Sequence, residues 1–489
     1  MLGKKIFLVS IQLLFFIVDI HAESTLFPEL QFHGTEETLG KITNIILNKQ
    51  KGAYLRFGDG DVNLSLGQHD ALQPAQYKLM LEMQEAFLLN GPTILKTLPL
   101  YCRELHGYEE GMSPGNHEAP YEWCLDILHR VSPLWGSTIT DVYSHAALHF
   151  ASSHKQDLCI QFLKFLKKSP CYILVGNENI PKEIRDLLFG ENCIFIPTPS
   201  RQSYGAIDQV EQECLKIMKN TNDYKVIITA MGCSGRALQK RLWEKLDNVF
   251  LFDFGSVMDA ICGWNTRAWI EITQFDEKTF INNLTRNIHV VCTAALINSD
   301  FENRKQEYIK TLKILDEYGY SNPYIFEAVQ PFGPTFLNDY SSHVIYPNVN
   351  NPSLRNKGVN EARLLAASLT NLPFQDNDII IKITGRYFFT SNAFLKIVED
   401  NPTIDAFVKK APDGQIYTGC YAMRYKFFKE MLGQLNLTQM EQEMRNIEQE
   451  VATYLKKIIE TQNAKIMYLD TLDLTATIFG EGNRIRIQL

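Results

Sequence analysis

The sequence predicts an α/β fold made of two Rossmann-like domains in tandem. Short apolar runs of strand length, rich in β-branched and aromatic residues, alternate with amphipathic stretches of helical period through the first half of the chain. The alternation stops and restarts near Asn287, which gives two sheets in place of one. At 489 residues, 45% hydrophobic and 21% charged, the chain carries apolar material for two or three cores, which excludes disorder and coiled coil as its main theme.

Taken in order, the chain opens with a signal-like segment. Lys4 and Lys5 precede an apolar run from Ile6 to Val18, and Ala22 supplies a small residue for cleavage, so residues 1–22 read as a signal peptide. The run is shorter than the ~20 residues a spanning helix needs and Asp19 interrupts it, so the membrane is a partner only if this segment stays uncleaved. The expected location is the secretory pathway or outside the cell. All 10 cysteines follow this segment without a CxxC, so neither a zinc ribbon nor a thioredoxin-like site is indicated; some would pair in an exported chain, or all would remain buried thiols. Sequons stand at Asn63, Asn283 and Asn436. Lys and Arg total 48 against 56 Asp and Glu, so no basic field holds a phosphate backbone and nucleic acid is not an expected partner.

The first domain, 23–286, contains the strands CYILVG (171–176), CIFIP (193–197), KVIITAMG (225–232) and NVFLFDFG (248–255), separated by helical stretches such as KEIRDLLFG. This order predicts a parallel sheet covered on both faces. The second domain, 287–489, restarts with NIHVVCTAAL (287–296), a helix over RKQEYIKTLKILDEYGY and the strand PYIFEAV (323–329). A proline-bearing loop region, a helix at KGVNEARLLAASL, the strand DIIIKITGRYFF (378–389) and a long polar helix around MEQEMRNIEQEVATYLKKIIE follow.

The segment GAYLRFGDGDVNL ends a strand and turns through Gly58 and Gly60, leaving Asp59 and Asp61 on the turn. Two carboxylates so spaced suit a hard divalent ion that keeps open positions for diphosphate oxygens, although an exposed turn uses the same residues. RFGDGD (56–61), WGSTITDVYSH (135–145), ILVGNE (173–178), FIPTPSRQSY (195–204), VIITAMGCSGRALQKRLW (226–243) and FLFDFGSVMDAICGW (250–264) resemble, in order and spacing, segments of the glycosyltransferase family of GT-D fold. That resemblance covers roughly Leu26 to Trp264. It implies that Asp59 and Asp61 hold Mg2+ or Mn2+ and the diphosphate of a sugar nucleotide, with Arg56 beside them. Asp61 replaces the family's Glu, and Ser256 stands where the family more often has His.

MGCSGRAL places Gly232 and Gly235 between a strand and a helix, where backbone N–H groups and the helix dipole favour an anion, or where a tight turn simply needs glycine. Asp253 lies where a dinucleotide fold carries its ribose-binding acid. Glu178, after a strand, is the candidate catalytic base, with an exposed loop glutamate as the alternative. His145, His149 and His154 read as packing or surface residues of a helix.

The second domain loosely resembles GT-A-type transferases, and its KITGRY run resembles one in bacterial and viral transferase-like proteins. The Asp-x-Asp pair of that fold is absent. Lys382 and Arg386, with Thr384 and Gly385, form a cationic turn that would neutralise a diphosphate without a metal. Glu327 and Glu361 are candidates for ribose or acceptor contacts, and Glu448 and Glu450 for a base, each with a surface charge as the alternative. Together these readings imply a glycosyltransferase, GT-D-like then GT-A-like and of the hexosyltransferase class, that takes a nucleotide-sugar donor and a glycan or glycoprotein acceptor. A non-enzymatic glycan- or nucleotide-binding protein on transferase folds is the alternative.

Overall fold

The computed structural model describes residues 31–100, 121–135, 141–296, 301–328, 335–369, 372–480 and 483–489. The predicted signal peptide and Cys102 lie outside them. The chain divides into two units, Met1–Glu277 and Lys278–Leu489. The division falls before the expected break at Asn287 because the helix ahead of that residue belongs with the second sheet: Asn283 is buried and accepts a hydrogen bond from Arg424 Nη2 at 2.9 Å.

The first unit runs β1 (Gln31–His33), α1 (Thr35–Leu47), β2 (Gly52–Arg56), α2 (Asp59–Ser65), α3 (Tyr77–Leu88), β3 (Ile94–Leu98), α4 (Tyr121–Trp135), β4 (Asp141–Ser144), α5 (Ala147–His154), α6 (Gln156–Lys168), β5 (Cys171–Asn177), α7 (Lys182–Phe189), β6 (Ile194–Thr198), α8 (Ile207–Met218), β7 (Lys225–Ala230), α9 (Ser234–Lys245), β8 (Val249–Asp253), α10 (Val257–Ile261) and α11 (Ala268–Ile272). The four strands expected from sequence are β5 to β8. The sheet order is β1-β4-β3-β2-β8-β7-β5-β6, and every pairing is parallel. Helices α3, α4, α8 and α9 pack together on one face, and α1, α5, α6 and α7 on the other. Both faces being covered explains why a strand such as VFLFD is buried at every position.

This topology fixes where a ligand binds. From β2 the chain moves outward through β3 to β4, whereas β8 is reached from β7 on the opposite side. After β2 it enters α2, which packs on α3; after β8 it enters α10, which packs on α5 across the sheet. The two C-terminal ends therefore diverge and leave a crevice between β2 and β8, the position at which open α/β sheets bind ligands.

The second unit contains α12 (Glu277–Thr285), β9 (Ile288–Ala294), α13 (Phe301–Glu317), β10 (Tyr324–Glu327), β11 (Val344–Ile345), α14 (Lys357–Leu369), β12 (Ile379–Thr384), β13 (Phe388–Phe389), α15 (Ala393–Asp400), β14 (Ala406–Lys409), β15 (Cys420–Arg424), α16 (Tyr425–Gln434), α17 (Leu437–Gln442), α18 (Ile447–Gln462), β16 (Ile466–Leu469), β17 (Leu474–Gly480) and β18 (Asn483–Gln488). Its main sheet has the order β11-β10-β9-β12-β15-β14-β16, parallel except for β15, and β13, β17 and β18 form a smaller sheet.

Two expected elements are divided. The run DIIIKITGRYFF splits at Gly385, whose N–H donates to Thr293 O at 2.9 Å and whose absent side chain leaves room for the Tyr308 ring. The long polar helix breaks at Met444, which has a φ of +53°, and Asn446 then caps α18 by accepting from Gln449 N at 2.9 Å. Among the described residues no helix is long and apolar enough to cross a membrane, and Cys159, Cys171, Cys193, Cys214, Cys233, Cys262, Cys292 and Cys420 are free thiols.

Candidate functional site

Arg56 ends β2 and Asp61 lies in the first turn of α2, so both sit at the β2 side of the crevice. Asp253 ends β8 and is followed by Gly255 and Ser256 on the other side. Residues two apart on a helix point about 200° from each other, and the structure follows that rule: Asp61 is buried while Asp59 is exposed to solvent.

The Asp61 carboxylate is fully engaged. Its Oδ2 accepts from Gly58 N at 2.8 Å and its Oδ1 from Arg236 Nε at 3.2 Å. Arg236 comes from the first turn of α9, is itself buried, pairs through Nη1 with Asp253 Oδ2, and donates through Nη2 to Gly232 O. The remaining oxygen of Asp253, Oδ1, accepts from Gly255 N at 2.9 Å. One guanidinium thus bridges two buried carboxylates across the crevice. Burial pushes Asp61 above the usual carboxylate range, against the pull of Arg236.

Arg56 is different. Among the described residues its guanidinium has no hydrogen-bond or salt-bridge partner, and its Nε is buried. It lies across Gly255, which has a φ of +66° and no room for a side chain: a Cβ there would stand 1.5 Å from Arg56 Nη1. Gly60 is under a similar constraint, since a Cβ would stand 2.3 Å from Asp70 Oδ1.

Two histidines complete the wall. His145 follows β4 and packs on Gly58, and His149 of α5 places Nε2 3.0 Å from Ser256 Oγ. Trp269 Nε1 donates to the same hydroxyl at 3.0 Å, and in the tautomer with Nε2 unprotonated His149 accepts the Ser256 proton. Burial first, then the Arg56 charge, holds both imidazoles well below their ordinary range, so they are neutral. The sequence reading of these histidines as packing residues agrees with their burial, and His149 in addition bonds Ser256. Arg236, Trp269 and the histidine pair were not assigned from sequence. The available signals were the i, i+4 spacing of His145 and His149 after a strand, and an arginine in the first turn of a glycine-led helix.

The other predicted residues fall as follows. Gly232 has a φ of +63° with nothing within 4 Å of a Cβ position, so it faces open space. Gly235 is a correction: its N–H closes on Gly232 O at 3.0 Å and is spent inside the turn. Asp253 is also corrected, since a carboxylate committed to Arg236 and Gly255 does not present itself to a ribose. Glu178 is exposed at the end of β5, two strands from β8 and so ~10 Å away by strand spacing, and is not brought beside Asp61.

As arranged, Asp59 and Asp61 do not form a shared ligand pair for Mg2+ or Mn2+, because one points outward and the other is spent on Arg236. Among the described residues no group of three or more His, Cys, Asp or Glu is placed to hold a metal.

In the second unit the expected cationic turn is divided. Lys382 shares the face of β12 that Ile380 occupies, toward α14, and is 1% exposed. Its ammonium pairs with Glu361 and donates to Thr418 O at 2.7 Å and Thr384 Oγ1 at 3.2 Å. The reading of Lys382 as a free cation for diphosphate is therefore corrected, because strand alternation carries it into the core. Arg386, beyond the end of β12, is half-buried beside Tyr308 and Tyr387. Glu327 is wholly buried and accepts from Leu296 N at 2.6 Å, Glu448 accepts from Thr418 Oγ1 at 2.8 Å, and Glu450 pairs with Arg445.

No protein-family profile matches this chain, and no curated protein does. Among solved structures it is similar to a glycosyltransferase, domain of unknown function 1792, from Streptococcus sanguinis, at 17% identity and a TM-score of 0.36, over 47% of this chain and 82% of that one. A selenomethionine-substituted structure of the same domain is similar at 18% identity and a TM-score of 0.35, over 47% of this chain and 80% of that one. A third, described as having a distinct glycosyltransferase fold, is similar at 18% identity and a TM-score of 0.36, with the same coverage.

Proposed function

We propose that this chain is a glycosyltransferase that moves a sugar from a nucleoside-diphosphate sugar to a glycan or glycoprotein acceptor, and that the β2–β8 crevice of the first unit is its donor site. The observation that carries this reading is Arg56, a guanidinium without a hydrogen-bond partner among the described residues, at the topological switch point of a parallel sheet. The ordered set of transferase-like segments supplies the reaction class. Arg56 would bind the donor diphosphate bidentately and stabilise the charge that builds on it as the glycosidic bond breaks. The N-terminus of α9, two residues after Gly232, adds a favourable dipole on the same side.

His149 and Ser256 form the hydrogen-bonded pair that would take the proton of an acceptor hydroxyl, since the imidazole is neutral, although burial makes it a weaker base than an exposed histidine. Glu178 stands too far from the crevice to share that step. The second unit would serve as an acceptor-binding or second transferase domain, with Lys382 as part of its core.

The test is a panel of nucleotide sugars read by thermal shift, followed by detection of released nucleoside diphosphate. Stabilisation rises with RT ln(1 + [L]/Kd), so a binding donor is recognised directly. Failure of every donor and of UDP to stabilise the protein refutes the reading. The bridging of Asp61 and Asp253 by Arg236 favours one second reading, a nucleotide- or glycan-binding protein on a transferase fold. Binding of donor with no turnover in the presence of any acceptor would establish it.

A further inference from the structure

We propose that Arg236 is a built-in counter-cation that takes the place of a divalent metal in the first unit's crevice, so that a nucleoside diphosphate binds there without Mg2+ or Mn2+. The proposal rests on the donor-site reading above and goes beyond it in assigning the positive charge to the protein itself. Asp61 and Asp253 face each other across the crevice from α2 and β8, a pair of buried carboxylates of the kind that holds a hard cation. The cation between them is a guanidinium. Arg236 meets Asp61 through Nε at 3.2 Å and Asp253 through Nη1, and the side chains of all three are no more than 7% exposed.

The remaining oxygen of each carboxylate accepts a backbone N–H, from Gly58 at 2.8 Å and from Gly255 at 2.9 Å. A metal entering here would have to break both arginine contacts and leave a buried guanidinium without its partners, which is strongly unfavourable. The two carboxylates and Arg236 sum to a single negative charge, and Arg56 at the end of β2 offsets it. The diphosphate then meets Arg56 directly, while Arg236 keeps Asp61 and Asp253 from repelling it.

The experiment uses the full chain and has two arms. Free Mn2+ is followed by its electron paramagnetic resonance signal with and without protein, in the absence of nucleotide. UDP binding is measured by isothermal titration in EDTA and in Mn2+. The expected results are no saturable Mn2+ binding and a UDP affinity that changes by less than about twofold between the two buffers. Arg236→Ala should then expose the dicarboxylate and gain about one Mn2+ site per chain, lost again when Asp61→Asn is added. If Arg236→Ala does not give a cooperative melt, Arg236→Gln, which removes the charge but keeps more of the side chain and a donor amide, replaces it.

Saturable Mn2+ binding by the unaltered chain that Asp61→Asn removes overturns the proposal, as does a UDP affinity that falls about tenfold or more in EDTA. A folded Arg236 variant that gains no Mn2+ also overturns it. Absence of UDP binding in both buffers refutes the donor-site reading, and the Mn2+ arm still decides the role of Arg236.

Discussion

Gly255→Ala tests whether the crevice depends on the packing of Arg56 against a left-handed glycine. Gly255 holds a φ of +66°, and an added Cβ would stand 1.5 Å from Arg56 Nη1 and 2.7 Å from its Cζ. Those atoms are the far end of a flexible side chain, so Arg56 moves while the backbone strain remains. Alanine in the left-handed region costs about 1–3 kcal/mol. At about 2–4 °C per kcal/mol for a domain near this size, the melting temperature should fall by between about 2 and 12 °C. Displacing Arg56 removes a charge-assisted contact of about 1.5–3 kcal/mol, so UDP affinity should fall about 10- to 150-fold.

Two further variants separate strain from charge. Gly255→Asn tolerates the left-handed backbone better but still displaces Arg56, so it should recover stability and not affinity. Arg56→Ala should lose affinity with little change in melting temperature, because its guanidinium has no hydrogen-bond or salt-bridge partner among the described residues. Isothermal titration and differential scanning calorimetry on the three proteins decide the matter. Gly255→Ala or Arg56→Ala binding UDP within about twofold of the unaltered chain refutes the assignment of Arg56.

Lys382→Met should cost about 3 kcal/mol, at the low end for breaking a buried ion pair because Glu361 keeps 27% side-chain exposure, and adding Glu361→Leu should recover much of the loss in denaturant melts. UDP binding in the first unit should not change. The buried neutral His145 and His149 have folded pKa values below the unfolded value, so their contribution to stability is complete above about pH 6.5 and is lost as pH falls, at up to about 1.4 kcal/mol per pH unit for each proton; His149→Gln should flatten the acid side of a melting curve measured against pH. Burial lowers Lys96 to about 7, below its unfolded value, so stability should rise with pH from about 7 to 10 and Lys96→Met should remove that slope.

The sequence by itself determined the layered architecture and the strands that carry its strongest apolar runs. The runs at 171–176, 193–197, 225–232 and 248–255 are β5 to β8 within a residue or two, because strands buried on both faces must be apolar throughout and that pattern is local. It also located the two ends of the crevice, since Arg56 and Asp253 each end an apolar run with a glycine two residues on, and Asp61 follows Gly60 in the turn after the first of them. Boundaries set by single backbone conformations were less legible. The break at Gly385 depends on the Tyr308 ring from another helix, and the break at Met444 places a non-glycine residue at positive φ.

Only the tertiary structure decided which charges are free and which are spent. Asp61 is 175 residues from Arg236, and no local pattern records that their side chains meet. Asp59 and Asp61 look equivalent as carboxylates on a turn, but the start of a helix sends one to solvent and the other inward. Lys382 and Arg386 look like one cationic turn, but strand alternation aims Lys382 at Glu361 in the core. Polar side chains are chosen by long-range partners because burying a charge is tolerable only when another group pairs with it, and that partner is supplied by the fold.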